Sequence, residues 1–316
     1  MTSIQTVLGP IDTSKLGQTL SHEHVIVSSG GIPQIYPEFI RRDESIKKGI
    51  ARLSEAKKEG VDTIVDVTTL DLGRDIRLIE TVSRESGVNI ICATGTWRDI
   101  PRAFWNSTPD AVAGLYIREI NEGIEGTGIK AGIIKVANDK GGVTREGEVI
   151  LRAAARASKS TNTPISAHTW APERVGEQQI RIFEDEKVDL NKVYIGHSND
   201  TTDVFYLEGL MDKGAWVGLD RYPGGREIGT PKWEERTETL MKLIYDGYGK
   251  KVMIGHDWSV TLNIASDENS SSRNKYNPDD YLFIHRKVIP YLKKLGATNE
   301  QIDDILIYNP KRFFES

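Results

Sequence analysis

Leu20-Ser21-His22-Glu23-His24-Val25 is the first of eight short apolar runs, and it carries two histidines at alternate positions. Extended chain sends residues i and i+2 to one face, so His22 and His24 are expected to point one way and Glu23 the other. Seven further runs follow at 63–67, 89–93, 132–137, 164–168, 193–197, 216–219 and 251–256. Most are nearly continuous in apolar and β-branched residues, the pattern of strands buried on both faces. A hairpin over 7–11 is expected to precede them.

Helical spacing fills the intervals. Ile46, Ile50 and Leu53 repeat before Gly60, and Ile76, Ile79 and Val82 repeat before Gly87; glycine at these places stops a helix. Leu115 and Ile120, then Ile150, Leu151 and Ala154, mark the third and fourth helices. Phe183, the pair Leu207 and Leu210, and the pair Leu240 and Ile244 mark the next three. An eighth is expected over 281–295, kinked at Pro290, and a terminal helix from Thr298. Eight alternations of strand and helix predict an α/β protein, a (β/α)8 TIM barrel. A doubly wound open sheet is the competing arrangement, but no dinucleotide glycine fingerprint follows the first strand. No composition shift or linker divides the chain, so 1–316 is read as one domain. Two long irregular connections, 28–42 and 258–277, are expected to form rims or flexible lids.

Composition narrows the function. The chain has 316 residues and a net charge of −5 with the two signs mixed along it. That excludes a nucleic-acid face and a polybasic membrane anchor. The one cysteine, Cys92, forbids a disulfide within the chain and is expected to be a buried free thiol. The start carries no basic and apolar segments of a signal peptide, and no apolar run reaches membrane-spanning length. A soluble, cytoplasmic protein is expected.

In a barrel of this kind functional side chains sit at the C-terminal ends of strands. Strand 1 brings His22 and His24, strand 4 Lys135, strand 5 His168, strand 6 His197, strand 7 Asp220 and Arg221, and strand 8 His256 and Asp257. Imidazole and carboxylate suit Zn²⁺ and related divalent ions. Four histidines and an aspartate exceed the needs of one catalytic zinc, and suit two ions roughly 3.5–4 Å apart sharing a nucleophile. Such a pair needs a bridging anion. A lysine in an apolar strand loses its proton more easily than one in water, and neutral Lys135 could add carbon dioxide to become a carbamate. The competing readings of Lys135 are a snorkelling or salt-bridged side chain and a Schiff-base lysine.

These stretches together resemble the phosphotriesterase family of the amidohydrolase superfamily, both its bacterial phosphotriesterases and its phosphotriesterase-like lactonases. The resemblance rests on His22-Glu23-His24, Ala131-Gly132-Ile133-Ile134-Lys135-Val136-Ala137, His168-Thr169 and Gly176-Glu177-Gln178-Gln179. It extends through Ile195-Gly196-His197-Ser198 with Asp200, Gly218-Leu219-Asp220-Arg221-Tyr222 and His256-Asp257-Trp258. It implies a TIM barrel with two divalent ions, zinc first, with cobalt, iron or manganese as alternatives. His22, His24 and Asp257 would hold the more buried ion, His168 and His197 the other, and carbamylated Lys135 would bridge them with a hydroxide. Asp257 would take the proton, in a relay with Arg221 and Asp200. A homodimer acting on a small-molecule ester is implied.

The Asp220-Arg221-Tyr222 run is similar to the lactonase branch, and Ala93-Thr94-Gly95-Thr96-Trp97 is similar to the phosphotriesterase branch. The expected activity is opening of lactones, N-acyl homoserine lactones included, with weaker phosphotriester hydrolysis. The alternatives are a primary phosphotriesterase, another esterase or amidase of the superfamily, and a barrel that binds metal without catalysis. Trp97, Tyr222, Arg221 and Trp258, beyond strands 3, 7 and 8, are expected to wall the substrate pocket. Asp220 and His256 are read as structural, His285 as a surface residue, and Glu23 as the partner of a barrel lysine or arginine.

Overall fold

The structure is a computed structural model and describes residues 2–225, 228–262 and 273–316. The chain opens with a hairpin of β1 (Ser3–Thr6) and β2 (Gly9–Asp12), paired from Ser3↔Asp12 to Thr6↔Gly9. The hairpin was expected over 7–11; its turn lies at Val7 and Leu8, where Thr6 Oγ1 accepts from Leu8 N. Then come β3 (Gln18–Glu23), β4 (Ile26–Val27), β5 (Val61–Asp66), β6 (Asn89–Gly95) and β7 (Ile133–Ala137). They are followed by β8 (Ile165–His168), β9 (Val193–Gly196), β10 (Trp216–Leu219), β11 (Val252–Ile254) and β12 (Thr261–Leu262).

Eight of these strands form one parallel sheet in the order β11-β10-β9-β8-β7-β6-β5-β3. The sheet curls until its edges meet. There β3 and the end of β11 are joined by Ser21 Oγ donating to Ile254 O at 2.9 Å and Asp257 N to His22 O at 3.1 Å. This nearly closed ring with helices outside it is a (β/α)8 barrel. All five residues of β7 are buried, lysine included.

The helices fall between the strands: α1 (Ile32–Ile35), α2 (Arg42–Lys58), α3 (Ile76–Ser86), α4 (Pro109–Asn121), α5 (Arg145–Thr161), α6 (Val175–Asp185), α7 (Val204–Asp212) and α8 (Trp233–Tyr245). Local chemistry sets their ends. Asp75, Thr108, Thr144 and Asp203 cap α3, α4, α5 and α7 with side-chain oxygens. In α4 the inward face is Val112, Ala113, Tyr116 and Ile120; Leu115, expected there, is exposed. The expected kink at Pro290 takes the form of a π turn over Ile284–Val288 that runs into helix Ile289–Lys294. Pro290 has no N–H to donate to the preceding turn, and the wider turn accommodates that loss.

Apolar residues split into two layers. One lies between sheet and helices. The other fills the barrel axis, where Val65, Ile91, Ile133, Tyr194 and Met253 meet Ile4 of the hairpin and Phe313 and Phe314 of the C-terminal helix. The hairpin and that helix therefore close the N-terminal end, and the open mouth is at the strands' C-terminal ends. Of the two long connections, 28–42 contains α1 and a short turn of helix. Residues 263–272 of the second lie outside the described residues.

Candidate metal centre

The first strand does not alternate simply. Leu20 pairs with Ile64 but Glu23 with Asp66, so β3 carries one more residue than its partner over that span, a β-bulge. The bulge turns both Ser21 and His22 into the barrel. Ser21 Oγ meets Tyr194 OH at 2.8 Å, and His22 Nδ1 meets Asp220 Oδ2 at 2.9 Å. Beyond it His24 also faces the mouth, and Glu23 turns away, as the alternation predicted.

Three of the four mouth histidines are held by Nδ1. His22 and His197 both bond Asp220 at 2.9 Å, and His24 bonds Thr68 Oγ1 at 2.8 Å. Each therefore presents Nε2 to the centre. Asp220 also accepts from His197 N at 2.6 Å and Tyr194 OH at 2.7 Å. Burial would raise its carboxyl, but His197 and His22 outweigh that and hold it well below the usual range. Carboxylates that fix ring orientation and tautomer in this way are characteristic of metal sites. Asp220, expected to be structural, is the clamp that aligns two rings.

Asp257 completes the set. Its Oδ1 lies 3.2 Å from His24 Nε2 and 3.6 Å from His22 Nε2. Ligand atoms of these three residues all fall within 4.8 Å of one another, as do those of His22, His197 and Asp220. The second group is already consumed by hydrogen bonding, so the first is the better cage. Asp257 and His197 both adopt positive φ, 52° and 58°. Such strain persists where the surroundings over-determine it, commonly at functional sites. Burial would raise the Asp257 carboxyl, yet His197, His24, His22 and Arg221 hold it well below its ordinary value.

A chain of charges leads away from Asp257. Arg221 Nε lies 3.1 Å from Asp257 Oδ2, Arg221 Nη1 2.6 Å from Asp200 Oδ2, and Arg236 Nη2 2.8 Å from Asp200 Oδ1. Arg236, from α8, is fully buried and was not foreseen in the sequence. Burial opposes the charge on Arg221, but Asp200 and Asp257 raise its pKa above normal.

Lys135 is 1 % exposed, with Nζ 3.3 Å from His22 Nε2. Burial lowers its ammonium to about 8, against the pull of Asp220 and Asp257. The imidazole rings close round it, with His22 and His197 centroids 4.6 Å apart and His168 and His197 4.3 Å apart. His168 differs from the other three. Its Nδ1 accepts from Trp97 Nε1 at 3.3 Å and its Nε2 faces Asp139 Oδ2 at 3.3 Å. Burial pushes His168 down to about 3 and His197 well below its usual value, so both rings are neutral and able to act as ligands. The donors are thus neutral imidazoles, a carboxylate and an easily deprotonated lysine around one cavity, a set that fits divalent metal ions.

That cavity, of about 280 Å³, is lined by His22, His24, Lys135, His168, His197 and Asp257, with Trp97, Arg221 and Leu72 among its walls. Tyr222 is not in this wall. It is buried and lines a smaller cavity of about 140 Å³ behind Arg221 and Asp257, together with Asp200 and Arg236. Trp258, expected as a wall, is buried in the fold: its indole donates to Asp280 Oδ1 at 2.9 Å and Arg273 stacks on its ring. Its place one residue past Asp257 gave no sign of this. Among the described residues Glu23 pairs with no lysine or arginine. It accepts from His256 Nδ1 at 2.7 Å, His256 N at 2.8 Å and Trp258 N at 3.1 Å, tying the first strand to the last. Burial raises its carboxyl well above normal. His285, expected on the surface, is half-buried and bonds Gln18 at 2.8 Å. Cys92 is a buried free thiol, as expected, with burial pushing it up to about 12.

Comparison with known proteins agrees with this geometry. The model of the phosphotriesterase family matches residues 2–314. A phosphotriesterase homology protein of Mycobacterium tuberculosis is 42% identical over 327 residues, covering 100% of this chain and 98% of that protein. An aryldialkylphosphatase of Saccharolobus solfataricus is 39% identical over 311 residues, covering 96% of each. The solved structure of the phosphotriesterase from Mycobacterium tuberculosis superposes with a TM-score of 0.93 at 41% identity, covering 99% of this chain and 98% of that one. By fold, by the residues around the barrel mouth and by full-length similarity, the chain belongs to the phosphotriesterase family, a family of metal-dependent hydrolases.

Proposed function

We propose that this protein is a binuclear metal hydrolase that opens lactones, N-acyl homoserine lactones included, and cleaves phosphotriesters more slowly. His22, His24 and Asp257 would hold one ion, His168 and His197 the other, and Lys135 as its carbamate would bridge both. Two divalent ions at such a site supply a nucleophilic oxygen near neutral pH and polarise the carbonyl or phosphoryl group. Zinc is the first choice, with cobalt, iron and manganese compatible with the same donors.

The protein's own residues do the rest. Lys135 is kept easily deprotonated by burial, the condition for carbamylation. Asp257 receives the proton on its carboxylate. Arg221 Nε, at 3.1 Å, fixes that carboxylate, and Asp200 fixes Arg221. Arg221 keeps its proton throughout, so it positions charge rather than passing protons on. Trp97 and Leu72 form the apolar side of the cavity and exclude water from the ester. The observation that carries the lactonase reading is Arg221 in that wall, where a guanidinium can donate to the ring ester.

Trp97 favours the second reading, a primary phosphotriesterase, because it narrows the same cavity with an indole. An amidase of the superfamily is the third. The proposal takes 1–316 as one hydrolase domain, cytoplasmic and homodimeric. The test compares kcat/KM for a panel of lactones with that for paraoxon-like triesters. We expect the best lactone to lead by at least about tenfold, a difference of roughly 1.4 kcal/mol in transition-state binding. A triester ahead of every lactone overturns the ordering.

A further inference from the structure

We propose that Asp139 is the positioning residue of His168: by holding Nε2–H it turns Nδ1 to the metal cavity. The inference rests on the binuclear reading above and assigns a part to a residue outside it. An indole N–H can only donate, so His168 Nδ1, 3.3 Å from Trp97 Nε1, must be the bare nitrogen. The ring proton is then on Nε2, and the atom facing it is Asp139 Oδ2 at 3.3 Å. This is the reverse of His22, His24 and His197, which are held by Nδ1 and present Nε2.

Asp139 is itself held. It lies two residues past β7, where Ala137 pairs with His168 of β8. Its Oδ1 accepts from Lys140 N at 2.8 Å, and Arg98 bonds its Oδ2. The backbone of His168 is fixed as well, its carbonyl accepting from Asn138 N at 3.1 Å and from buried Gln179 Nε2 at 2.8 Å. With chain and ring both fixed, the lone pair on Nδ1 has one direction. Trp97 Nε1 donates along that direction, and Trp97 is itself part of the cavity wall.

The test counts ions. Full-length protein loaded with zinc is titrated with a chelator, comparing wild type with Asp139→Ala, Asp139→Asn and Arg98→Ala. We expect two ions from wild type. In Asp139→Ala one of them should be held about 10–100-fold more weakly. Asp139→Asn, whose amide oxygen still accepts the Nε2 proton, should recover most of that loss. Arg98→Ala removes the ion pair with Asp139 and the guanidinium stacked on Trp97, 4.8 Å from its ring centroid, but leaves the Asp139 carboxylate in place, and should change the same constant by less than about fivefold. Histidine nitrogen NMR of metal-free wild type, which needs no variant to fold, should show His168 as the Nε2–H tautomer. Two ions held equally well with and without Asp139, or an Nδ1–H tautomer, overturns this inference alone. Fewer than two ions in wild type overturns the binuclear reading, and this inference with it.

Discussion

Asp220 acts on the centre through the rings it holds. Two oxygens accept from four donors, His22 Nδ1, His197 Nδ1, His197 N and Tyr194 OH. Asp220→Asn leaves one accepting oxygen and turns an N–H₂ toward groups that also donate. We expect this variant to fold but to hold metal about 10–100-fold more weakly, measured by chelator competition. Wild-type affinity in that variant would contradict the role given to Asp220. At this scale the donors were legible and their supports were not. Histidines are few, six in 316 residues, and five lie at strand ends in a barrel pattern, four of them at the mouth, so their convergence could be read directly. Alternation placed Asp220 opposite Leu219, and it does face inward. Arg221 faces the mouth too because β10 ends at Leu219, and the period of two no longer governs the chain beyond it. Asp139, Thr68 and Arg236 are ordinary polar residues in sequence, and only three-dimensional contact reveals what they hold.

Elements carry the same lesson with a physical cause. The eight barrel strands were legible to within two residues because burial on both faces leaves an unbroken apolar run. The bulge in β3 was not legible, since it is a property of pairing with β5 rather than of either strand. The π turns at Ile284–Val288 and Asp304–Tyr308 were likewise hidden, the first behind a proline expected only to kink. One glycine makes a sharp prediction here. Gly95 ends β6 at φ +116°, and a Cβ there would lie 1.9 Å from Lys135 O. That atom is the backbone carbonyl of Lys135 and cannot swing away. Gly95→Ala should therefore cost on the order of 3 kcal/mol or more, read as a lowered denaturant midpoint. An unchanged midpoint would show that β6 and β7 can separate without loss.

Over the whole molecule the barrel divides its labour by end. The hairpin and the C-terminal helix pack Ile4, Phe313 and Phe314 into the N-terminal end, and the charged residues gather at the other. Stability and chemistry thus sit on opposite sides of one ring of strands, which is why the mouth can hold strained residues such as His197 and Asp257. No helix among the described residues is long and apolar enough to cross a membrane. The family was legible from sequence because its motifs are spread over nearly the whole chain, and the match at residues 2–314 has the same extent. Substrate preference was less legible: Trp258, expected in the wall of the cavity, proved to be part of the core. The central claim is that this mouth holds two ions, and metal analysis of protein purified without chelator tests it most directly. The account predicts two divalent ions per chain, with hydrolysis lost on their removal and regained on adding zinc, cobalt or manganese; one ion or fewer per chain after zinc loading, or hydrolysis undiminished after their removal, would contradict it.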